Sequence, residues 1–233
     1  MIKILQVRNI DSFVESRRQK TSEKDKKIVQ SILNDVRKNG DSAVKKYERK
    51  FNGRKTSQLR VSEKEIKEAR SKIDNDWQTR DVIEGLIEYY GGAEDVLQHY
   101  LPKHDDIKAS LQPGITRSFV PIPSVGCYIP GGQARYPSSV VMSVRPAKIA
   151  GVKRIVVVSP PGRDGKIDPL TIAAANMCGA TEIYKVGGAQ AIGALAYGTK
   201  SIPKVDKIVG PGGKFVSIAK SLVSDQTAID MVA

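Results

Sequence analysis

Apolar residues recur at helical spacing through the first 110 residues of the chain. The clearest set has the three- and four-residue spacing of one helix face and comprises Ile28, Val29, Ile32, Leu33 and Val36. Ser22 and Asp25 have the spacing of a capping box, which begins a helix, and Gly40 is placed to end it in the left-handed conformation. This pattern predicts an amphipathic helix with one apolar stripe.

The same signals predict three more helices before residue 110. One lies between Asp41 and Gly53, with an apolar face formed by Val44, Tyr47 and Phe51. Another begins at the capping box Ser62–Glu65, and a longer one runs from about residue 76 to residue 101. Each stripe needs a surface to pack against.

Beyond residue 113 the pattern changes to short apolar runs that alternate with helical segments. The runs predict strands at Val125–Ile129, Arg154–Ser159, Glu182–Val186, Asp206–Val209 and Ala228–Val232. The segments between them predict helices at Ser138–Ala150, Pro169–Cys178, Ala189–Tyr197 and Gly213–Leu222. Alternation at this spacing is typical of βαβ units in an α/β fold with a doubly wound, Rossmann-like parallel sheet.

This change of pattern suggests three parts. We predict an N-terminal arm at residues 1–20, a helical region at 21–124 that is part of a first domain, and a Rossmann-like domain at 125–233. A chain of 233 residues is long enough for one large domain or two modest ones.

Composition excludes several protein classes. The sequence has no apolar run long enough to span a membrane and no signal-peptide pattern at its start. Cys127 and Cys178 are the only cysteines, which fits a reducing, cytoplasmic location. His99 and His104 are the only histidines, so a metal site built from this chain alone is not expected.

The net charge of +13 raises the question of nucleic-acid binding. Residues 1–110 carry 24 basic and 19 acidic side chains, interleaved as on solvated helices, whereas residues 111–233 carry 14 and 6. The excess in the second part suits an anionic ligand or simple solubility. With only 6% aromatic residues, a nucleic-acid partner is not expected, because aromatic side chains usually interleave with the basic ones.

Three glycine-rich turns follow predicted strands: Pro130–Gly132, Gly187–Gln190 and Gly210–Lys214. Glycines there let backbone N–H groups approach a phosphate at a helix N-terminus, but they also permit tight strand-to-helix turns. Ile208 stands where a P-loop needs its first glycine, and Phe215 stands where it needs Ser or Thr. No G-x-G-x-x-G occurs in the first βα turn, so a standard Rossmann dehydrogenase is also excluded.

Individual polar residues carry weaker signals. Gln190 lies at the start of a predicted helix, where its amide could hydrogen-bond a ligand or the residue could simply begin the helix. Tyr128 ends a predicted strand, where its ring could stack on a ligand ring or simply pack. Cys127 is predicted to face the core rather than act as a nucleophile, because no histidine lies near it in sequence. No set of acid–base residues is apparent, so no catalytic residue is assigned.

Two long segments resemble the histidinol dehydrogenase family. They are VGCYIPGGQARYPSSVVMSVRPAKIAGVKRIVVVSPP (Val125–Pro161) and VGGAQAIGALAYGTKSIPKVDKIVGPGGKFVSIAK (Val186–Lys220). The stretch Val36–Asp41, continued to Tyr47 and Phe51, is similar too, so that the resemblance covers about residues 20–233.

The resemblance implies an oxidoreductase that uses NAD to convert L-histidinol to L-histidine through an aldehyde, with a zinc ion and a homodimeric assembly. The family's cofactor contacts include a tyrosine in VGxY, a glutamine in GGAQ and an asparagine in GPGN. The first two match Tyr128 and Gln190, whereas the third position is Gly213. Weaker or altered cofactor binding is the expectation.

The last residues, AIDMVA, match the family's AIDMxA, which the family continues as GPSE. By resemblance, the zinc ligands, the substrate-binding residues and a catalytic Glu–His pair all lie beyond that point. We therefore expect this chain to lack metal and catalytic residues and to be inactive alone. The alternative is a truncated or split non-catalytic module that binds a dinucleotide. We also expect the helices of residues 20–124 to lack much of their packing partner.

Overall fold

The computed structural model describes residues 9–11, 13, 22–53, 58–100, 120–131 and 135–231, with only the backbone of residues 52 and 91–100. The helices of this part are α1 (Glu23–Asn39), α2 (Asp41–Asn52), α3 (Glu63–Asp74), α4 (Trp77–Tyr100), α5 (Pro137–Ile149), α6 (Pro169–Cys178), α7 (Gly188–Tyr197) and α8 (Lys214–Val223). The strands are β1 (Ser124–Tyr128), β2 (Arg154–Ser159), β3 (Glu182–Lys185), β4 (Lys207–Val209) and β5 (Ala228–Ile229).

The five strands form one parallel sheet in the order β3-β2-β1-β4-β5. At its centre, Val125 of β1 pairs with Ile155 on one side and with Lys207 on the other. The chain thus builds outward from β1 through β2 and β3, then returns and builds in the other direction. The predicted α/β, doubly wound fold is confirmed, and its switch point lies between β1 and β4.

The two faces of the sheet belong to separate hydrophobic cores. Val156 and Val158 of β2 face a core shared with α1, α2, α7 and α8. Ile155 and Val157 face a second core, shared with α3, α4, α5 and α6. A strand buried on both faces reads as a continuous apolar run, which is why β2 was so clear in the sequence.

Both predicted capping boxes are present, at Ser22 with Asp25 and at Ser62 with Glu65. Gly53 ends α2 in the left-handed conformation. Gly40 has a positive φ of 51° but a ψ of −129°, so the left-handed cap predicted there is wrong. The physical reason is that α2 begins at the very next residue, and the chain must turn rather than continue a helical path.

Described helices of the first part pack on helices of the second. Gly193 of α7 lets α1 approach closely, because a Cβ there would lie 3.1 Å from Leu33 and 3.3 Å from Val36. On the other face α3 packs on α6. The domain boundaries at residues 20 and 124 stay a prediction.

The segment Leu59–Val61 lies antiparallel beside β3. The Lys185 N–H donates to the Leu59 carbonyl at 2.7 Å, and the Val61 N–H donates to the Ile183 carbonyl at 2.8 Å. This segment covers backbone groups that an edge strand would otherwise expose. In the described ranges, no helix is long and apolar enough to cross a membrane.

Candidate functional site

The ends of β1 and β4 touch at the switch point of the sheet. Gly210, directly after β4, has a φ of 106°, and a Cβ on it would lie 2.2 Å from the carbonyl oxygen of Tyr128. Only glycine fits a backbone that passes so close to its neighbour. The turns that follow β1 and β4 therefore begin where the backbones of the two strands are in close contact.

The turn after β3 is equally tight. A Cβ on Gly187 would lie 2.4 Å from Cβ of Pro160. Gly188 has a φ of +62°, and a Cβ there would lie 2.8 Å from Oε1 of Gln190. The Gly188 N–H donates to the Tyr128 hydroxyl at 3.1 Å. This contact brings the turn that carries Gln190 to the end of β1.

Tyr128 is a buried residue whose ring packs in the core on the α7 side of the sheet. Burial raises the pKa of its hydroxyl, and the nearby Glu48 carboxylate raises it further, whereas the Gly188 N–H acts to lower it. The phenol therefore stays protonated at neutral pH. The sequence left open whether this ring stacks on a ligand or packs in the core, and the structure shows that it packs.

Gln190 is 1% exposed and is held from α2. Its Nε2 donates to Oε1 of Glu48 at 2.8 Å, and the Gly187 N–H donates to the same oxygen at 2.9 Å. Oε1 of Gln190 is buried and accepts no hydrogen bond from the part of the chain that the structure describes. An unpaired buried acceptor is unusual in native proteins, so this oxygen is a candidate for a hydrogen bond to a ligand.

A cavity of about 1050 Å³ opens beside Gln190, between the turns and helices α1, α2 and α8. Its wall carries Tyr47, Phe51 and Phe215, and its opening carries Lys24, Lys27 and Lys50. Phe51 and Phe215 are 54% and 42% exposed, which is high for rings in a folded chain. The cavity thus combines aromatic faces with positive charge.

Gly213 is the N-cap of α8, at the end of the turn that follows β4. Phe215, two residues later, lines the cavity. Lys214 forms an ion pair with Asp25 of α1 at 2.9 Å, and this bond holds the start of α8 against the start of α1. The hydrogen bonds from Lys214 and Ser22 lower the pKa of Asp25, so this carboxyl group is ionised at neutral pH.

The comparisons with known proteins agree on one family. A sequence model of histidinol dehydrogenase matches residues 15–233. The histidinol dehydrogenase of Bacillus cereus (strain ATCC 10987 / NRS 248) is 47% identical over 207 residues, which are 88% of this chain and 46% of that protein. The chain belongs to the histidinol dehydrogenase family.

Other members of the histidinol dehydrogenase family support the assignment. The protein of Bacillus licheniformis is 45% identical over 216 residues, covering 91% of this chain and 49% of that one. A crystal structure of histidinol dehydrogenase from Elizabethkingia anophelis superimposes with a TM-score of 0.75 at 31% identity, covering 97% of this chain and 52% of that one. The chain thus spans about half the length of the relatives it matches.

Zinc, which the histidinol dehydrogenase resemblance implies, does not fit the residues at hand. Among the residues that the structure describes, no group of three or more His, Cys, Asp or Glu side chains could hold a metal ion. His104 and the side chain of His99 lie outside those residues. Cys127 is buried in the core, as predicted, and burial raises the pKa of its thiol to about 12.

Sequence reasoning missed Glu48, although a signal was present. Val44, Tyr47 and Phe51 were assigned to one face of α2, and Glu48 falls on the same face because it lies four residues after Val44. A carboxylate on an apolar stripe indicates a buried polar contact. The role of Phe215 in the cavity wall had no such signal, because it depends on how α8 meets α1.

A second groove, of about 820 Å³, lies on the opposite side of the sheet between α5 and β4. It is mostly apolar and is bounded by Met142, Pro146 and Met231, with Lys220 and Asp230 at one end. None of Tyr128, Gln190 and Gly213 lines it. Of the three predicted site residues, only Gln190 lines either cavity, and it lines the first; the residues Gly210–Gly212, which lead to Gly213, line the second groove.

Proposed function

We propose that this chain is the dinucleotide-binding part of a histidinol dehydrogenase, an oxidoreductase that uses NAD to convert L-histidinol to L-histidine. One observation carries the proposal. Gln190, whose buried Oε1 has no donor among the described residues, lines a large cavity together with the rest of the turn Gly187–Gln190, which matches one of the family's cofactor contacts. The family assignment supports the same conclusion.

The cavity suits the chemistry of a dinucleotide. Its volume of about 1050 Å³ is at the upper end of the range for small-molecule sites. Phe51 and Phe215 offer ring faces on which a base can stack, and the lysines at the opening offer charge to phosphates. The N-terminus of α7, preceded by two glycines, adds favourable partial charge for an anion.

Tyr128, Gln190 and the backbone at Gly213 would hold NAD, which when bound supplies the acceptor for hydride. Gln190 presents an acceptor oxygen, and Glu48 keeps its amide in one orientation. The Tyr128 hydroxyl, bonded to the Gly188 N–H, fixes the turn from which Gln190 projects. These residues bind and orient; none of them is placed to move a proton of the substrate.

The proposal includes the cytoplasmic homodimer implied by the family. Along α4, Trp77, Val82 and Tyr89 expose most of their side chains. Apolar side chains of this size on one helix suit a contact between subunits.

Calorimetry with NAD tests the proposal directly. We expect saturable binding to the 233-residue chain at submillimolar NAD, and weaker binding by Gln190→Met, which removes the amide but keeps the side-chain length. The matched control is Gln30→Met, because Gln30 lies exposed on α1 and bonds only Asn34 among the described contacts. No heat at millimolar NAD would contradict the proposal.

The same preparation should not produce NADH from histidinol. The family's catalytic pair follows the GPSE segment, which does not occur in this sequence, so we expect no absorbance change at 340 nm (the NADH band) with NAD, histidinol and zinc present. A histidinol-dependent rise would contradict this expectation. Binding without turnover is the behaviour of a dinucleotide-binding module.

Gly213→Asn should tighten NAD binding by restoring the family's asparagine. Nothing lies within 4 Å of a Cβ at Gly213, and its φ of −71° suits any residue. One added hydrogen bond corresponds to about 3- to 10-fold in affinity. Asparagine is also a good N-cap, so stability should rise by a few tenths of a kcal/mol. Gly213→Ala, which adds a Cβ without the amide, should show neither gain.

A further inference from the structure

Glu48 is a carboxylate in the middle of an apolar helix face. It is 0% exposed, although Glu is among the residues least often fully buried. Its neighbours on that face, Val44 and Tyr47, belong to the core beneath the sheet. A buried charge persists where it is paired or hydrogen-bonded, so its contacts identify its purpose.

Two of the donors that reach Glu48 come from the candidate site. The Gly187 N–H and Nε2 of Gln190 donate to the same oxygen, Oε1, at 2.9 and 2.8 Å. Because this oxygen accepts the Gly187 N–H, it acts as an acceptor, and the group of the Gln190 amide that faces it is the NH₂ group. In the reverse orientation two oxygens would face each other.

The orientation of this amide determines what Gln190 offers to a ligand. With Nε2 held by Glu48, Oε1 must point away from it, and it is this oxygen that is buried without a donor in the described residues. The close approach of Gly188 leaves room for Oε1, which lies 2.8 Å from the point that a Cβ would take. The site thus presents an acceptor.

We propose that Glu48 is a positioning residue of the dinucleotide site, which orients the Gln190 amide so that Oε1 accepts a hydrogen bond from an N–H or O–H group of the dinucleotide. This inference rests on the proposed NAD site. It adds a residue from α2, 142 positions away in sequence, that touches the cofactor contact and not the cofactor.

Three variants separate positioning from simple structural support. Glu48→Met removes the acceptor but keeps the side-chain length. Glu48→Gln keeps an oxygen that can accept from both donors. Gln190→Met removes the oriented amide. The control is Asp41→Asn, because Asp41, also on α2, accepts hydrogen bonds from Ser201 and does not line the cavity. Thermal unfolding of each variant reports its effect on the fold.

Calorimetry with NAD gives the expected result. Glu48→Met should weaken binding about 10-fold, the order of one charge-assisted hydrogen bond. Glu48→Gln and Asp41→Asn should stay within about 3-fold of the original chain. On the Gln190→Met background, Glu48→Met should add less than about 2-fold, because there is no amide left to orient. If Glu48→Met does not fold, Glu48→Asp, which withdraws the carboxylate by one methylene, takes its place.

The outcomes separate this inference from the proposed function. If the original chain does not bind NAD, both are wrong. If NAD binds and Gln190→Met weakens it, but Glu48→Met has no effect or weakens binding by the same factor with and without Gln190, the positioning role is overturned and the NAD site stands.

Discussion

Gly210→Ala is expected to lower the free energy of unfolding by about 3 kcal/mol or more. Two costs combine at this position. Its φ of 106° is one that L-residues rarely adopt, and the added Cβ would lie 2.2 Å from the Tyr128 carbonyl oxygen and 3.1 Å from its carbonyl carbon. Those atoms are backbone of the central strand, so they cannot move aside as a flexible side chain would.

Gly165→Ala is the matched control for this variant. Gly165 has a φ of +79°, but nothing lies within 4 Å of its Cβ position. It should therefore show the conformational cost alone, of roughly 1–2 kcal/mol. Urea unfolding of the two variants measures both effects, and equal losses would contradict the overlap at the switch point.

Gly210→Ala should also weaken NAD binding in whatever fraction remains folded. The overlap would push the turn after β4 away from the end of β1, and Tyr128 anchors the turn after β3 through Gly188. Binding by Gly165→Ala should be unchanged, since Gly165 does not line the cavity beside Gln190.

The fold of the second part could be predicted closely because its signals are local. The helix Pro169–Cys178 and the strand Arg154–Ser159 have the predicted bounds. Asp168 supports the first of these, since its carboxylate accepts from the Leu170 N–H at 2.9 Å. A central parallel strand is buried on both faces and a capped helix carries its own start signal, so neither depends on distant residues.

The placement of the first four helices could not be predicted, because it depends on long-range contacts. Apolar stripes show that α1 and α3 need partners, but not that α1 packs at Gly193 on one face while α3 packs on the other. The antiparallel contact of Leu59–Val61 with β3 likewise had no sequence signal. The position of this segment is explained by its backbone hydrogen bonds with β3, an edge strand of the sheet.

The candidate site shows the same division. Tyr128 and Gln190 are predicted site residues from the family resemblance. Their closeness in space follows from the parallel sheet, because the carboxyl ends of parallel strands lie at one edge. The cavity wall comes from α1 and α2 instead. Glu48 could have been suspected as a charge on an apolar stripe, but its partner Gln190 could not be deduced without the fold.

Lys220→Met is expected to destabilise the fold by about 2–3 kcal/mol at neutral pH, less than the 3–5 typical of a broken buried pair. Lys220 is 3% exposed, and its ammonium donates to the Asp230 carboxylate and to the Gly210 carbonyl. We expect this smaller loss of stability because the Asp230 side chain is 28% exposed and is thus partly screened by solvent. In the variant, Asp230 also keeps its hydrogen bonds from the Gly210 and Met231 N–H groups.

Lys214→Met, on the same helix, is the control for loss of a lysine. The Lys214 side chain is 35% exposed, against 4% for Lys220, so we expect a smaller change in the free energy of unfolding. Similar losses in the two variants, measured by urea unfolding, would show that burial of Lys220 adds nothing.

The pH dependence of the Lys220→Met effect identifies Asp230 as the partner. Burial acts to raise the pKa of Asp230, but the bonds from Lys220 and from two backbone N–H groups outweigh it and hold the pKa below its ordinary value of 3.8. A carboxyl with a lowered pKa stabilises the fold above its unfolded value, and that contribution is lost as the pH falls through the folded value. The difference between the original chain and Lys220→Met should therefore be constant near neutrality and shrink below about pH 4. A difference that stays constant into the acid range would contradict the pairing with Asp230.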